Sequence, residues 1–178
     1  MTDVIKDVPS GSGGVIFTPW MHGNRCPFED PLSTSMFFGL TLNTGKTQMI
    51  RAVLEGTFYH LRWMLECQAS KIKVSDHIRF VGGGALSDVS CQILADILGR
   101  SIETVASPQN VGAVGAAAVT AVGLGLIDEL EKVRTFIPVQ KTFEPDMERH
   151  AQYEKYYKVF RKIYKTNRKL YGELSQEI

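Results

Sequence analysis

The chain has 178 residues, 44% of them apolar and 22% charged, with a formal net charge of +1. That length suits one large domain with a substantial core. The balanced charge sets up no global field toward nucleic acid or an anionic membrane, and no apolar run approaches the roughly 18 residues of a membrane span.

Residues 1–13 read as a flexible lead-in, because Pro-Ser-Gly-Ser-Gly-Gly over 9–14 is turn and linker chemistry; residues 14–178 then read as one domain. Residues 15–17 predict a first strand. Trp20, Gly23, Pro27 and Pro31 break any period over 19–34, and residues 36–42 predict a second strand. From 46 to about 68, Ile50, Val53, Leu54, Leu61, Met64 and Leu65 recur at helical spacing. Residues 78–81 predict a third strand, 88–98 a helix stopped by Gly99, and 102–105 a short strand. Residues 111–124 are nearly all Ala, Val and Gly and predict a helix covered on most sides. Pro138 and Pro145 bracket a short extended piece. The last helix, about 147–174, carries an apolar stripe of Tyr153, Tyr156, Phe160, Ile163, Tyr164, Leu170 and Tyr171, with lysine and arginine on its other faces. Strands followed by alternating helix and strand predict an α/β fold, a mixed sheet with flanking helices.

Cys26, Cys67 and Cys91 are widely spaced and form no CxxC pair, and His22, His60, His77 and His150 form no HxxH or HxxxH pair. Neither a disulfide framework nor a metal site is assigned on this spacing. Reduced thiols and the absence of a signal-peptide pattern in the first residues set the expected location as the cytoplasm.

The most informative stretch is Ile78-Arg79-Phe80-Val81 running into Gly82-Gly83-Gly84-Ala85, with a helical pattern behind it. Glycines permit positive φ and close approach of a ligand to the main chain. The next helix start offers free N–H groups and partial positive charge, which suits a phosphate or the polar rim of a nucleotide. A turn built for packing alone would use the same glycines. Two familiar alternatives fail. Residues 43–47 end like a P-loop, but Leu40 stands where that loop needs glycine. Gly82-x-Gly84 begins a dinucleotide fingerprint, but Ser87 stands at its third glycine. No Gly-x-Ser-x-Gly elbow occurs, and Asp30, Glu55 and Asp88 show no acid/base spacing.

Taken together these pieces resemble one family. Ser35-x-Phe37-x-Gly39-Leu40, seven residues, then Gln48-Met49-x-x-Ala52-Val53-Leu54-Glu55 fits the second signature of the FGGY carbohydrate kinases. The proline-rich stretch from Phe17 to Pro31 is similar to that family's loop, most of all in xylulokinase-like members. Gly82-Gly83-Gly84-Ala85-x-Ser87 with the segment from Cys91 to Gly99 resembles its ATP-binding segment, and Gly112 to Ala117 its small-residue helix. The resemblance covers about residues 14–172. It implies an actin-like ATPase (ribonuclease H-like) domain, the C-terminal half of an enzyme that moves the γ-phosphoryl group of Mg-ATP to a sugar hydroxyl, D-xylulose in the members this loop is most like. It implies nucleotide contacts at Gly83, Gly84, Ala85 and Asp88, and Mg²⁺ carried by the nucleotide with no protein ligand here. Asp88 stands where asparagine is frequent in the family, which puts its contact with the adenosine in question. No counterpart of the family's catalytic aspartate, phosphate loop or sugar pocket occurs, so the chain is expected to be inactive alone, to need an N-terminal kinase domain as partner and, with an apolar face uncovered, to self-associate. A second reading keeps the actin-like fold as a non-catalytic interaction or structural domain.

Overall fold

The computed structural model describes residues 2–175; Met1 and residues 176–178, the ends of the two predicted spans, lie outside the described residues. Strands β1 (Ile16–Thr18) and β2 (Met36–Phe38) pair antiparallel, Ile16 opposite Phe38 and Thr18 opposite Met36. Helix α1 (Lys46–Ala69) follows, then β3 (His77–Arg79), α2 (Asp88–Leu98), β4 (Ser101–Val105), α3 (Val111–Gly123), β5 (Val139–Phe143) and α4 (Met147–Ser175). The second sheet runs β3-β4-β5. Its β3–β4 pair is parallel, bridged by α2, and its β4–β5 pair is antiparallel, with Ile102 opposite both Ile78 and Phe143. The expected mixed sheet is present. No helix among the described residues is long and apolar enough to cross a membrane.

Local chemistry sets the element ends. The strand predicted over 36–42 stops at Phe38 because Gly39 turns to φ +85°, where a Cβ would lie 2.5 Å from the Gly14 carbonyl oxygen. Gln48 Oε1 accepts from Gly45 N–H at 3.1 Å and closes the first turn of α1. Gly99 ends α2 at φ 64°, as predicted. Gly56 permits close packing: a Cβ there would meet the Phe17 carbonyl oxygen at 2.0 Å, so only glycine lets α1 lie against β1.

Three predictions from sequence need correction. Residues 5–12 are no loose lead-in. Ile5 is 1% exposed in the main core, and Gly11 N–H and Ser12 Oγ donate to Glu55 at 3.2 and 2.8 Å. Linker composition describes an unsatisfied backbone, and here a buried carboxylate satisfies it. Helix α3 is not covered on most sides. Among its residues only Ala118 is buried, and Val119 is 59% exposed. Small residues allow close approach but do not supply the neighbour. On α4 the buried stripe passes through Tyr157, not Tyr156, and Leu170 is half exposed.

The core has an aromatic centre. Trp20, 1% exposed, contacts Phe28, Phe160 and Tyr164, and Phe28 stacks on Tyr164 with ring centroids 3.6 Å apart. The irregular 19–34 loop is thereby tied to α4. Beside it lies a buried polar knot. Arg51 donates through Nε to Glu55 (2.8 Å), through Nη1 to the Ile5 carbonyl (3.0 Å) and through Nη2 to Tyr153 Oη (2.8 Å). Tyr153 Oη donates onward to Glu55 (2.9 Å). Burial, then the Glu55 charge, raises the Tyr153 pKa, so the phenol keeps its proton and stays a donor. Truncating Glu55 to alanine strands the Arg51 charge in the interior and is expected to cost about 3–5 kcal/mol of stability. Urea unfolding followed by circular dichroism checks this, and a loss below about 1 kcal/mol would show that the knot carries no weight.

Candidate nucleotide site

The site begins where β3 ends. Gly82 takes φ +93° and ψ −174°, a conformation closed to side chains, and its N–H donates to the Pro108 carbonyl at 2.8 Å. One glycine thus turns the chain and fastens it to the segment after β4. A single turn of 3-10 helix, Gly83–Leu86, follows before Ser87 caps α2, its Oγ accepting from Ser90 N–H at 3.2 Å. Helix α2 therefore starts at Asp88, as the sequence predicted, one turn beyond the glycines.

The predicted residues separate by role. A Cβ on Gly83 would meet nothing within 4 Å, so its main chain borders open space. A Cβ on Gly84 would lie 2.9 Å from Phe80 Cζ, and Phe80 in turn sits edge-on to Phe58 of the core. Gly84 makes room for a core aromatic. Ala85 is buried at 6% exposure, and its carbonyl accepts from the Cys91 thiol at 3.7 Å. Asp88 is exposed in the first turn of α2, where a carboxylate complements the helix dipole, and Lys141 Nζ donates to both its oxygens at 2.7 and 2.9 Å.

Ala85, Asp88 and Lys141 line a cleft of about 260 Å³ whose opposite wall is Ser107, Pro108 and Gln109. Ser107 adopts φ 50°, ψ 56°, a left-handed conformation rare outside glycine, in the turn that leads to α3. No side chain caps α3 and its first turn holds no acidic residue, so its N–H groups are free of a local anion. Sequence reasoning missed this wall and Lys141. The helix start after Ser107-Pro108 was a readable signal; Lys141, 53 residues from Asp88, came with none. No group of three His, Cys, Asp or Glu among the described residues is arranged to hold a metal ion.

Comparison with known proteins decides what this turn and cleft belong to. The profile of the FGGY family of carbohydrate kinases, C-terminal domain, matches residues 3–124. The chain belongs to the FGGY family. It is 34% identical over 151 residues to a xylulose kinase of Staphylococcus epidermidis, covering 84% of this chain and 30% of that protein. It is 31% identical over 164 residues to a gluconokinase of Bacillus licheniformis, covering 90% and 31%. The fold superposes on the xylulose kinase of Lactobacillus acidophilus with TM-score 0.86 at 30% identity, covering 97% of this chain and 35% of that one. The fold is therefore the actin-like ATPase fold of these kinases. The chain spans about 30% of the length of the curated xylulose kinases it matches. The FGGY signature also gains physical content: Gly39 supplies the positive φ that ends β2, Ala52 is 1% exposed in the core, and Glu55 centres the polar knot.

The back of the turn is chemically quiet. Burial, then the nearby Asp88 charge, pushes the Cys91 thiol up to about 11, while Cys26 and Cys67 are exposed. A thiol reagent at pH 8 is expected to modify two cysteines in the folded protein and all three in denaturant; fast modification of Cys91 in the fold would mean that the turn opens.

Proposed function

We propose that this chain is the nucleotide-binding part of a carbohydrate kinase of the FGGY family, acting within a longer polypeptide that transfers the γ-phosphoryl group of ATP to a sugar hydroxyl. The observation that carries the reading is the Gly82–Asp88 turn of a family member, whose Ala85, Leu86 and Asp88 line an open cleft and whose Gly83 main chain borders open space. Adenosine and phosphates would contact Gly83 and Ala85 main chain, with Asp88 and Lys141 at the rim. Lys141, paired with Asp88 in the empty cleft, would bring an ammonium group toward a phosphate, and the uncapped start of α3 would add N–H donors. Gly84 supports the turn from behind by admitting Phe80.

Phosphoryl transfer depends on positioning and charge stabilisation, plus a base that accepts the hydroxyl proton. Nothing in the cleft offers that base: its one carboxylate, Asp88, is already paired with Lys141. Base and sugar pocket would belong to the N-terminal kinase domain of the longer chain, and Mg²⁺ would arrive with the nucleotide. The alone-standing chain would bind ATP without turning it over. Xylulose is the sugar that the similarity of the 17–31 loop and the xylulose kinase relatives favour, and the cytoplasm is the corresponding setting.

Isothermal titration with Mg-ADP tests the reading. The wild-type chain is expected to bind weakly, in the millimolar range or tighter. Gly83→Val should weaken binding about fivefold or more, roughly 1 kcal/mol, with an unchanged melting temperature. Gly84→Val should instead lower stability, since its side chain meets Phe80. Equal ADP binding by wild type and Gly83→Val, or none by either, would defeat the nucleotide assignment.

A further inference from the structure

The near-neutral net charge conceals a local excess. From Lys155 to Lys169, helix α4 carries seven basic residues and no acidic one, so the rest of the chain is net negative. Five of the seven are lysines, at 155, 158, 162, 165 and 169, and all five are exposed. Their spacing confines them to about 80° of arc along about 21 Å of helix. The stripe lies on the side of α4 opposite Tyr153, Tyr157, Phe160 and Tyr164, which are buried and fix the helix to the core. Among the described residues only Lys158 of the five has an acidic partner, Glu154 at 4.0 Å. Lys155 Nζ rests 5.8 Å from the centre of the Tyr156 ring. Like charges three and four residues apart repel, and a merely solvated helix face intersperses the two signs. Beside the stripe, in the last turns of α4, Leu170 and Leu174 are 50% and 62% exposed.

We infer that this stripe docks on the surface of an anionic lipid bilayer. The inference stands apart from the nucleotide reading. Charge complementarity carries it: five ammonium groups on one side of a helix reach a plane of anionic headgroups together, and Leu170 and Leu174 add apolar contact at its edge. Three features disfavour nucleic acid. Phosphates of a duplex rise on both sides of a groove, whereas these cations share one narrow arc. The stripe is lysine throughout, without the planar fork that reads phosphates and bases; Arg161, off the stripe, is paired with Glu66. The aromatic rings of α4 point into the core, so no platform for stacked bases is exposed. A second copy of this chain has no matching acidic row to offer on its other helices. On α1, Glu55 is buried and Glu66 is paired; on α2, Asp96 is buried and Asp88 is paired; α3 has no acid. Docked this way, α4 lies flat on the membrane and the nucleotide cleft, walled by α2 and β5, stays on the protein side.

Vesicle co-sedimentation tests this, with phosphatidylcholine vesicles carrying about 30% phosphatidylserine as the anionic surface. The wild-type chain is expected to bind them at about 0.1 M salt, to ignore pure phosphatidylcholine, and to be released at about 1 M salt, where the charges are screened. Lys158→Gln, Lys162→Gln and Lys165→Gln together should weaken binding at least about twentyfold, since each lysine near such a surface contributes a factor of about five. The melting temperature and Mg-ADP titration of that variant should match wild type. Lys162→Glu alone should weaken binding about tenfold, and it carries the test if the triple variant melts early. Lys71→Gln with Lys73→Gln, two exposed lysines beyond the end of α1, should leave binding unchanged. No binding of wild type, undiminished binding by the folded stripe variants, or an equal loss in the Lys71 and Lys73 variant overturns the inference. So does tighter binding at the same salt to a DNA duplex, if the triple variant loses it.

Discussion

Glu55 is a carboxylate sealed from water at 1% exposure, and two distant stretches of chain converge on it beside its helix neighbour Arg51. Gly11 N–H, Ser12 Oγ, Arg51 Nε and Tyr153 Oη all donate to its two oxygens. A buried ion pair of this kind adds little net stability, since desolvation offsets attraction, but removing one partner is expensive. Its contribution is therefore geometric. With every donor spoken for, the segment around residue 11, helix α1 and helix α4 have one mutual arrangement. Helix α1, so held, lies against β1 at Gly56, and the aromatic group around Trp20 fills the space between α1 and α4. Other arrangements leave a charge or a hydroxyl in the core without a partner.

The cleft inherits its shape from that frame. Helix α2 is wedged between α1 and α4, with Cys91, Leu94 and Ile97 at 0–2% exposure. Asp96 at its far end is also buried and accepts from Gln92 and from Asp146 N–H, which fixes the start of α4 against it. The glycine turn therefore joins two rigid bodies, the sheet and α2, with Phe80 as packing behind it. Within one Gly-Gly-Gly run the first residue makes the turn, the second leaves the main chain bare, and the third clears space for an aromatic. This division of labour explains how tight packing and bare main chain coexist in one short turn.

Much of this architecture was legible in the residues themselves. Helical periodicity located α1, α2 and α4 within a residue or two, and Gly99 marked its stop because αL geometry is cheap only without a Cβ. The strands were found, with β2 ending early because Gly39 leaves extended geometry sooner than apolar content suggests, and β3 two residues short of its predicted end. Other features depend on partners that one-dimensional pattern does not name. Linker-like residues 9–14 are packed because Glu55 lies across from them. Lys141 reaches Asp88 only through the β4–β5 register. The apolar composition of α3 announces a buried face, yet burial needs an opposing surface, and Val119 and Leu124 meet none among the described residues. The Gly83–Asp88 stretch was recognised, while the separate duties of Gly83 and Gly84 emerged only from where a Cβ on each would point.

The polar knot also carries an order in time. Tyr153 lies 102 residues beyond Arg51 and 98 beyond Glu55. A ribosome delivers the acid and the base long before it delivers the hydroxyl that joins them, and domains settle as their last necessary contact appears. Until then the two charges have each other and water, and α1 has no α4 to pack upon. The segment from Arg51 to Tyr153 thus has a strong reason to stay open until Tyr153 has been made and to close late, with non-local contacts setting the pace.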